Sequence, residues 1–218
     1  RVPLIARRTT AALAGAIGVA DVLELGITVP VVVDQVRATS APGIAGMLGA
    51  LSSGLGDIAL VSKLAVLRQA SDGVSLAITA AVSFPTGYSD YRGDRDMTFT
   101  PGVAVSRSLA PLALAGSLGW RMREQVAMAD LRVDDELVAE LGASYQIDPV
   151  VGVELGWSAA TPAAAPFGAA NRDHGEARGG ATFRFRDGLL IEAIIGAGIQ
   201  HGFGTPDWRG VIAMRYGQ

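Results

Sequence analysis

Charged side chains stand singly, at alternate positions of several apolar segments, and this spacing is the first feature of the sequence that could do chemistry. If these segments are β-strands, alternate residues lie on the same face, so the charges share one face and the apolar side chains the other. Isolated charges in an enclosed space are costly, so we expect arginines and carboxylates to pair there. The charges on the polar parity are Glu24, Lys63, Arg121, Arg123, Glu136, Glu140, Glu154, Arg178, Arg184, Arg186, Glu192, Arg209 and Arg215.

Histidines and loop acids offer other chemistry. His174 follows Asp173, and a surface hydrolase could use such a pair as a general base, but His174 and His201 both fall in predicted external loops, where a solvated histidine is expected. The acids Asp90, Asp94 and Asp96 could hold Ca²⁺, although acids beside arginines are typical of a solvated loop. No histidine cluster has metal-ligand spacing. We therefore expect no catalytic site, metal or cofactor.

The composition limits the fold that positions these charges. The chain has 218 residues, 50% of them hydrophobic and 18% charged, with no cysteine and a mean hydropathy of +0.34. This excludes disorder and a disulfide scaffold, and a net charge of −3 with scattered basic residues excludes a nucleic-acid-binding stripe. No uninterrupted run approaches the roughly 20 apolar residues that a transmembrane helix needs. Apolar residues that are distributed over many short segments, rather than in one long run, indicate a transmembrane β-barrel.

Strict alternation supports this fold class. From Val74 to Phe84 every second residue is apolar, and similar segments recur along the chain. A soluble sandwich would also alternate, but the other parity of this sequence is mostly Gly, Ala, Ser and Thr, which suits a barrel lumen better than a solvated face. We predict an all-β, antiparallel, up-and-down transmembrane barrel. The expected strands are residues 4–19, 23–33, 58–67, 74–84, 97–107, 112–123, 136–147, 151–158, 177–186, 189–200 and 208–216.

The connections between these strands alternate between short turns and longer loops. Bacterial outer-membrane barrels have short periplasmic turns and long external loops and an even number of strands. Eleven visible strands therefore predict a twelfth strand before Arg1, with both termini in the periplasm. Residues 1–218 would then be one outer-membrane barrel domain cut from a longer protein.

Aromatic residues give a second indication, because barrels carry aromatic girdles at both membrane interfaces. One group falls near the outer strand ends on the apolar parity: Phe84, Phe99, Trp120, Trp157 and Trp208. The other group falls near the inner ends: Tyr145, Phe183, Phe185 and Tyr216. Arg7 also lies on the apolar parity, where it either extends toward lipid headgroups or is turned inward by a bulge, which would leave Arg8 on the lipid side.

Short motifs carry a resemblance to a known family. Gly54-Leu55-Gly56-Asp57 opens a strand, Phe84-Pro85-Thr86-Gly87 closes the next, Gly93-Asp94 precedes Phe99, and Gly204-Thr205-Pro206-Asp207-Trp208-Arg209 stands near the end. This succession resembles the amino-terminal barrels of OmpA-family proteins of the myxobacterial type. It is also similar to outer-membrane transporters associated with aromatic degradation. The OmpA resemblance implies a periplasmic peptidoglycan-binding domain beyond Gln218.

The function predicted from these observations is an outer-membrane anchor domain of an OmpA-like envelope protein, with a lumen filled by Arg/Glu pairs that bridge it. A narrow channel for small solutes is the alternative, favoured if the charges segregate into a transverse field. A membrane-embedded hydrolase is a remote third. Expected partners are outer-membrane lipid and lipopolysaccharide, other envelope proteins and, through the further domain, peptidoglycan, with no nucleic acid.

Overall fold

The computed structural model describes residues 5–37, 53–87, 92–128, 131–168, 173–186, 188–200, 202 and 205–217. Long β-strands dominate this part of the chain, as the alternating apolar pattern requires. In the amino-terminal half they are β1 (Ile5–Val19), β2 (Leu23–Arg37), β4 (Ile58–Leu67), β5 (Ser75–Phe84), β6 (Thr98–Leu109) and β7 (Leu112–Arg121), with a two-residue strand β3 (Gly54–Leu55) before β4.

The second half continues the same pattern. The long strands are β10 (Glu136–Gln146), β11 (Val151–Pro162), β12 (His174–Arg184), β13 (Leu189–Gln200) and β14 (Trp208–Tyr216), and a small hairpin, β8 (Val126–Met128) and β9 (Leu131–Val133), lies in the connection before β10. A short helix, α1 (Gln69–Asp72), forms the turn between β4 and β5. Among the described helical residues, none form a segment long and apolar enough to cross a membrane.

The long strands form one sheet in sequence order, β1-β2-β4-β5-β6-β7-β10-β11-β12-β13-β14, which is an up-and-down meander. The predicted fold class is therefore confirmed. Within the described residues the sheet has twelve strands because β3 also pairs with β2, at Val31 and Val32. Whether a further strand precedes Arg1 stays a prediction. Short turns alternate with long connections, and we call the strand ends that carry the latter the long-connection ends.

Two compact units divide the chain: Arg1–Lys63 with Ala80–Phe99, and Leu64–Thr79 with Thr100–Gln218. In the first unit, β1 and β2 pair with two bulges, one between Ile5 and Arg7 and one between Thr9 and Thr10. These bulges determine the face of the sheet on which Arg7 and Arg8 lie. Arg7 stays on the exposed side in an ion pair with Asp34 at 2.7 Å, whereas the guanidinium of Arg8 donates to the buried side chain of Gln35. The interpretation that leaves Arg8 on the lipid side is therefore wrong.

Large apolar side chains lie outside rather than in a core. Leu13, Leu155, Ile195 and Ile212 are each at least two-thirds exposed, and only Val32, Ala77 and Ala160 are fully buried apolar residues in the described part of the chain. A soluble domain would bury its large aliphatic side chains. The opposite arrangement gives the sheet one apolar outer face and one inner face of small and charged residues, as in barrels that cross a lipid bilayer.

Candidate functional site

A buried carboxylate holds two arginines at the long-connection end of the second unit. Glu136, the first residue of β10, is directly opposite Arg121, the last residue of β7. Its Oε2 accepts hydrogen bonds from Nη1 of Arg121 at 3.1 Å and from Nη2 of Arg123 at 2.8 Å. The sequence predicts that all three residues are on the inner face, and the contacts bring them together.

A second carboxylate extends this group. Glu176 in β12 is 7% exposed, and its Oε2 lies 3.2 Å from Nη2 of Arg209 in β14. His174, two residues earlier on the same face, experiences the charges of Glu136, Glu176 and both arginines near Glu136. We call Arg121, Arg123, Glu136, His174, Glu176 and Arg209 the charged cluster. It holds three guanidinium groups against two carboxylates, a net charge of +1 with neutral histidine.

Two residues of the cluster differ from the sequence-based prediction. That prediction begins the strand at residue 177 and assigns Glu176 and His174 to a loop, but β12 begins at His174, and His174 is partly buried rather than solvated. The signal that would have found them is the alternation of charges, which continues backward from Arg178 through Glu176. Two buried polar atoms of the cluster, Nδ1 of His174 and Oε1 of Glu176, have no hydrogen-bond partner among the described residues.

Glycines make room for the long side chains. Arg178 in β12 lies between Gly156 of β11 and Gly196 of β13 in the sheet register. A Cβ atom at Gly196 would lie 2.5 Å from Oε1 of Glu176 and 3.1 Å from Cγ of Arg178. Small residues on the neighbouring strands therefore leave space for the charged side chains to lie flat along the inner face of the sheet, which we call the wall.

The ion pairs of this unit follow the wall. Glu136 and Arg121 are on neighbouring strands, as are Glu192 and Arg215, whose Oε1 and Nη2 atoms lie 3.0 Å apart. Glu176 and Arg209 are separated by a single strand, β13. Each pair therefore joins adjacent or next-adjacent strands, so these contacts do not need to span an enclosed space.

Other predicted inner-face charges are not brought together. No ion pair within the described ranges involves Glu24, Lys63, Glu140, Glu154, Arg178, Arg184 or Arg186. Glu140 and Glu154 face small residues on the neighbouring strands, Ser158 and Gly180 respectively. The predicted pairing is thus limited to part of the set.

A different constellation forms at the long-connection end of the first unit. Asp57, between β3 and β4, accepts backbone N–H bonds from Gly87 at 2.9 Å and from Asp94 at 2.6 Å. Oγ1 of Thr86 donates to the carbonyl of Gly56 at 2.6 Å and accepts from the N–H of Ile58 at 3.0 Å.

The guanidinium of Arg92 belongs to the same constellation, because its Nη1 donates to the carbonyl of Ser53 at 2.8 Å. We call Gly56, Asp57, Thr86, Gly87, Arg92, Gly93 and Asp94 the clasp. In the sequence most of these residues stand out only as carriers of a resemblance. The structure shows that two separate motifs, Phe84–Gly87 and Arg92–Asp94, both contact a third, Gly54–Asp57.

Predicted girdle aromatics lie mostly at strand ends. Phe84 ends β5, Tyr145 and Phe183 lie one residue from the ends of their strands, and Trp208 begins β14. Trp208 and Tyr216 are strongly exposed, as side chains directed at lipid would be. Trp157 differs from its expected height, because β11 continues five residues beyond it to Pro162.

Within the described residues, no acid orients the ring of His174. Asp173 accepts a hydrogen bond from Oγ1 of Thr161 at 2.6 Å, and Nδ1 of His174 lacks the hydrogen bond through which an acid would orient the ring. His201 and Asp90 lie outside the described residues. Among those that are described, no group of three His, Asp or Glu side chains could hold a metal ion.

The decisive comparison is with protein families. The sequence profile of the family described as "Putative MetA-pathway of phenol degradation" matches residues 7–210. The chain belongs to this family. The match covers nearly the whole chain, including both the clasp and the charged cluster. It agrees with the resemblance to transporters associated with aromatic degradation and gives no specific support to the OmpA family.

Two solved structures with the same fold are an outer membrane channel and a porin. An outer membrane channel from Pseudomonas putida F1 is similar with a TM-score of 0.68 and 17% identity, over 94% of this chain and 80% of that one. The NanC porin is similar with a TM-score of 0.64 and 9% identity, over 94% and 92%. A search among curated proteins finds no relative of this chain. At these identities the likeness establishes the fold, an outer-membrane β-barrel.

Proposed function

We propose that this protein is a channel for small solutes across the bacterial outer membrane. The observation that carries the proposal is the course of the ion pairs in the second unit. These ion pairs join neighbouring or next-neighbouring strands along the inner face. The paired side chains can therefore line a path for solutes instead of blocking it. Membership in the phenol-degradation family and the similarity to an outer membrane channel support the same function.

The anchor function predicted first is less well supported. It requires pairs that bridge the lumen and fill it, whereas the pairs of the second unit follow the wall. It also depends on an OmpA-type periplasmic domain, and peptidoglycan binding is assigned to no residue of this chain. We propose that the short turns and both termini face the periplasm, as in bacterial barrels of this kind.

Small aromatic acids are the first solutes to test. The family description points to phenol degradation, and a charged aromatic such as 4-hydroxybenzoate crosses a lipid bilayer poorly without a protein. The charged cluster offers arginine donors, which bind carboxylates well, and two buried atoms that have no partner within the described chain. These features suit a polar solute passing along the second unit.

The test is swelling of liposomes that contain the folded protein. We expect faster swelling in arabinose and in 4-hydroxybenzoate than in protein-free liposomes, and slower swelling in a large sugar such as raffinose. Folded, inserted protein with swelling at the protein-free rate in both small solutes would contradict the proposed function. Equal rates for all three solutes would indicate a wide, unselective pore.

A further inference from the structure

The most deeply buried side chains of the described chain are two residues of β2, one of which, Val32, pairs with Gly54 next to the clasp. Val32 is 2% exposed and Gln35 is 1% exposed, whereas most other inner-face residues of the sheet are partly or well exposed. Both belong to the carboxyl-terminal part of β2, at its long-connection end. The inner face is therefore covered at this point.

The clasp provides that cover. Arg92 lies directly on Gly54, since a Cβ atom at Gly54 would collide with Nη1 of Arg92, and Gly54 is the strand partner of Val32. A Cβ at Gly56 would lie 3.0 Å from Cγ of Pro30 and 3.5 Å from the carbonyl oxygen of Arg92. Pro30 and Val32 share the inner-face parity of β2, so Arg92–Asp94 is folded onto the inner face.

Asp57 holds this segment in place through two charge-assisted hydrogen bonds, one to each side of the connection. The backbone approaches so closely that side chains are excluded. A Cβ at Gly87 would lie 2.6 Å from Cα of Gly56, and a Cβ at Gly93 would collide with the carboxylate of Asp57. Gly87 and Gly93 therefore pack directly against Gly56 and Asp57, and no larger residue fits at either glycine.

We propose that Asp57 is a positioning residue that pins Thr86–Gly87 and Arg92–Asp94 against the inner face and so sets the width of the solute path. The inference about width rests on the proposed channel function. The inference about position does not, because the contacts exist whether or not the protein conducts. The two parts can be tested separately.

Position is tested by thiol accessibility, because the chain has no cysteine of its own. Val32→Cys is introduced beneath the clasp, and Ser144→Cys on an exposed inner-face position of β10 serves as the reference. A charged methanethiosulfonate reagent should modify Val32→Cys about tenfold more slowly than the reference. Adding Asp57→Asn should raise the rate at position 32 by about tenfold, the effect of losing roughly one charge-assisted hydrogen bond, and leave position 144 unchanged.

The matched control is Asp148→Asn. Asp148 also accepts two backbone N–H bonds, from Val150 and Val151, but it does so in a short turn. It should leave the rate at position 32 unchanged. If Val32→Cys does not fold, Gln35→Cys replaces it, and Thr86→Val provides a second way to loosen the clasp. Equal reactivity of the buried thiol with and without Asp57 would overturn the positioning role.

Width is tested by single-channel conductance in a planar bilayer. Asp57→Asn should raise the conductance by about twofold or more, because the segment that narrows the path is released, and Asp148→Asn should not change it. Greater thiol reactivity without a change in conductance would overturn the inference about width. A wild-type protein that inserts but does not conduct would overturn the proposed channel, while the thiol rates would still decide what Asp57 positions.

Discussion

The clasp and the charged cluster lie at the long-connection ends of their units and use carboxylates in opposite ways. Asp57 accepts bonds from backbone N–H groups, which are fixed in place by the chain. Glu136 and Glu176 are bonded to arginine side chains, which can change rotamer. The clasp is closely fitted, with no space for a Cβ at two of its glycines, whereas the cluster leaves Nδ1 of His174 and Oε1 of Glu176 without partners among the described residues.

A carboxylate bonded to backbone groups suits a structural role, whereas carboxylates paired with flexible side chains suit contact with a solute. A carboxylate on backbone donors fixes a segment, because neither partner can be exchanged without moving the chain. Buried charges on flexible side chains cost free energy and are tolerated when paired. The incomplete pairing of the cluster leaves polar atoms that a passing polar group or water could satisfy. We therefore propose that the clasp positions a segment and that the cluster contacts the solute.

The largest effect is expected from removing the charge of Glu136. Glu136→Gln leaves two partly buried arginines without their shared carboxylate, and we expect a loss of about 2 to 3 kcal/mol in the free energy of unfolding. Urea unfolding in lipid vesicles, followed by tryptophan fluorescence, measures it. The cation-to-anion permeability ratio should also fall, because the inner face becomes more positive.

Glu192→Gln is the matched control for this prediction. Its partner Arg215 is 72% exposed, so the loss should stay below about 1 kcal/mol. Equal losses for Glu136→Gln and Glu192→Gln would show that burial does not distinguish the cluster from an ordinary surface pair, and the contrast between cluster and clasp would lose its basis.

A smaller effect is expected from overfilling the clasp. In Gly93→Ala the new methyl group collides with the carboxylate of Asp57, and we expect a loss in the free energy of unfolding of about 1 to 2 kcal/mol. Gly18→Ala, where no atom lies within 4 Å of the added Cβ, should cost much less. Combined with Asp57→Asn, the Gly93 substitution should add little, since both act on one contact. Full additivity in this double-mutant cycle would contradict the fitted clasp.

The two regions also differ in how far the sequence predicts them. Alternation places Arg121, Glu136, Glu192 and Arg215 on one face, because side chains alternate between the two faces of a strand. Strands that follow each other in the sequence also pair with each other, so the pattern restricts their register. Glu176 was missed because the start of β12 lies next to a long connection, where the pattern alone does not mark the boundary. Element boundaries are the least determined part of such a prediction.

The clasp could not be predicted in the same way. Its first motif, Gly54–Asp57, contacts two motifs that lie about thirty residues or more further along the chain, as between Asp57 and Asp94, and nothing in their local pattern says that they touch. The bulges that direct Arg7 outward and Arg8 inward could not be predicted either. Each adds one residue to one strand of the β1–β2 pair, and its position depends on the pairing of the two strands rather than on the local sequence. Fold class follows from periodicity, while these contacts depend on the long connections.

The smallest effect concerns pH and the turn at Asp148. Backbone N–H bonds from Val151 and Val150 hold the pKa of Asp148 below its ordinary value. A lowered pKa in the folded state contributes stability above the ordinary pKa of about 3.9, and this contribution is lost as the pH falls through the lower folded value. The stability difference between wild type and Asp148→Asn should therefore be constant near neutral pH and shrink below about pH 4. Urea unfolding at a series of pH values measures it, and a difference that is independent of pH would contradict this role.

The central claim is that the charged cluster lines a path that remains open. Single-channel recording of the purified, folded protein in a planar bilayer tests it most directly. We expect stable open steps whose reversal potential under a salt gradient shifts toward anions in Glu136→Gln and stays unchanged in Asp148→Asn. Inserted, folded protein that gives no steps, or steps whose selectivity is the same in wild type and Glu136→Gln, would contradict it.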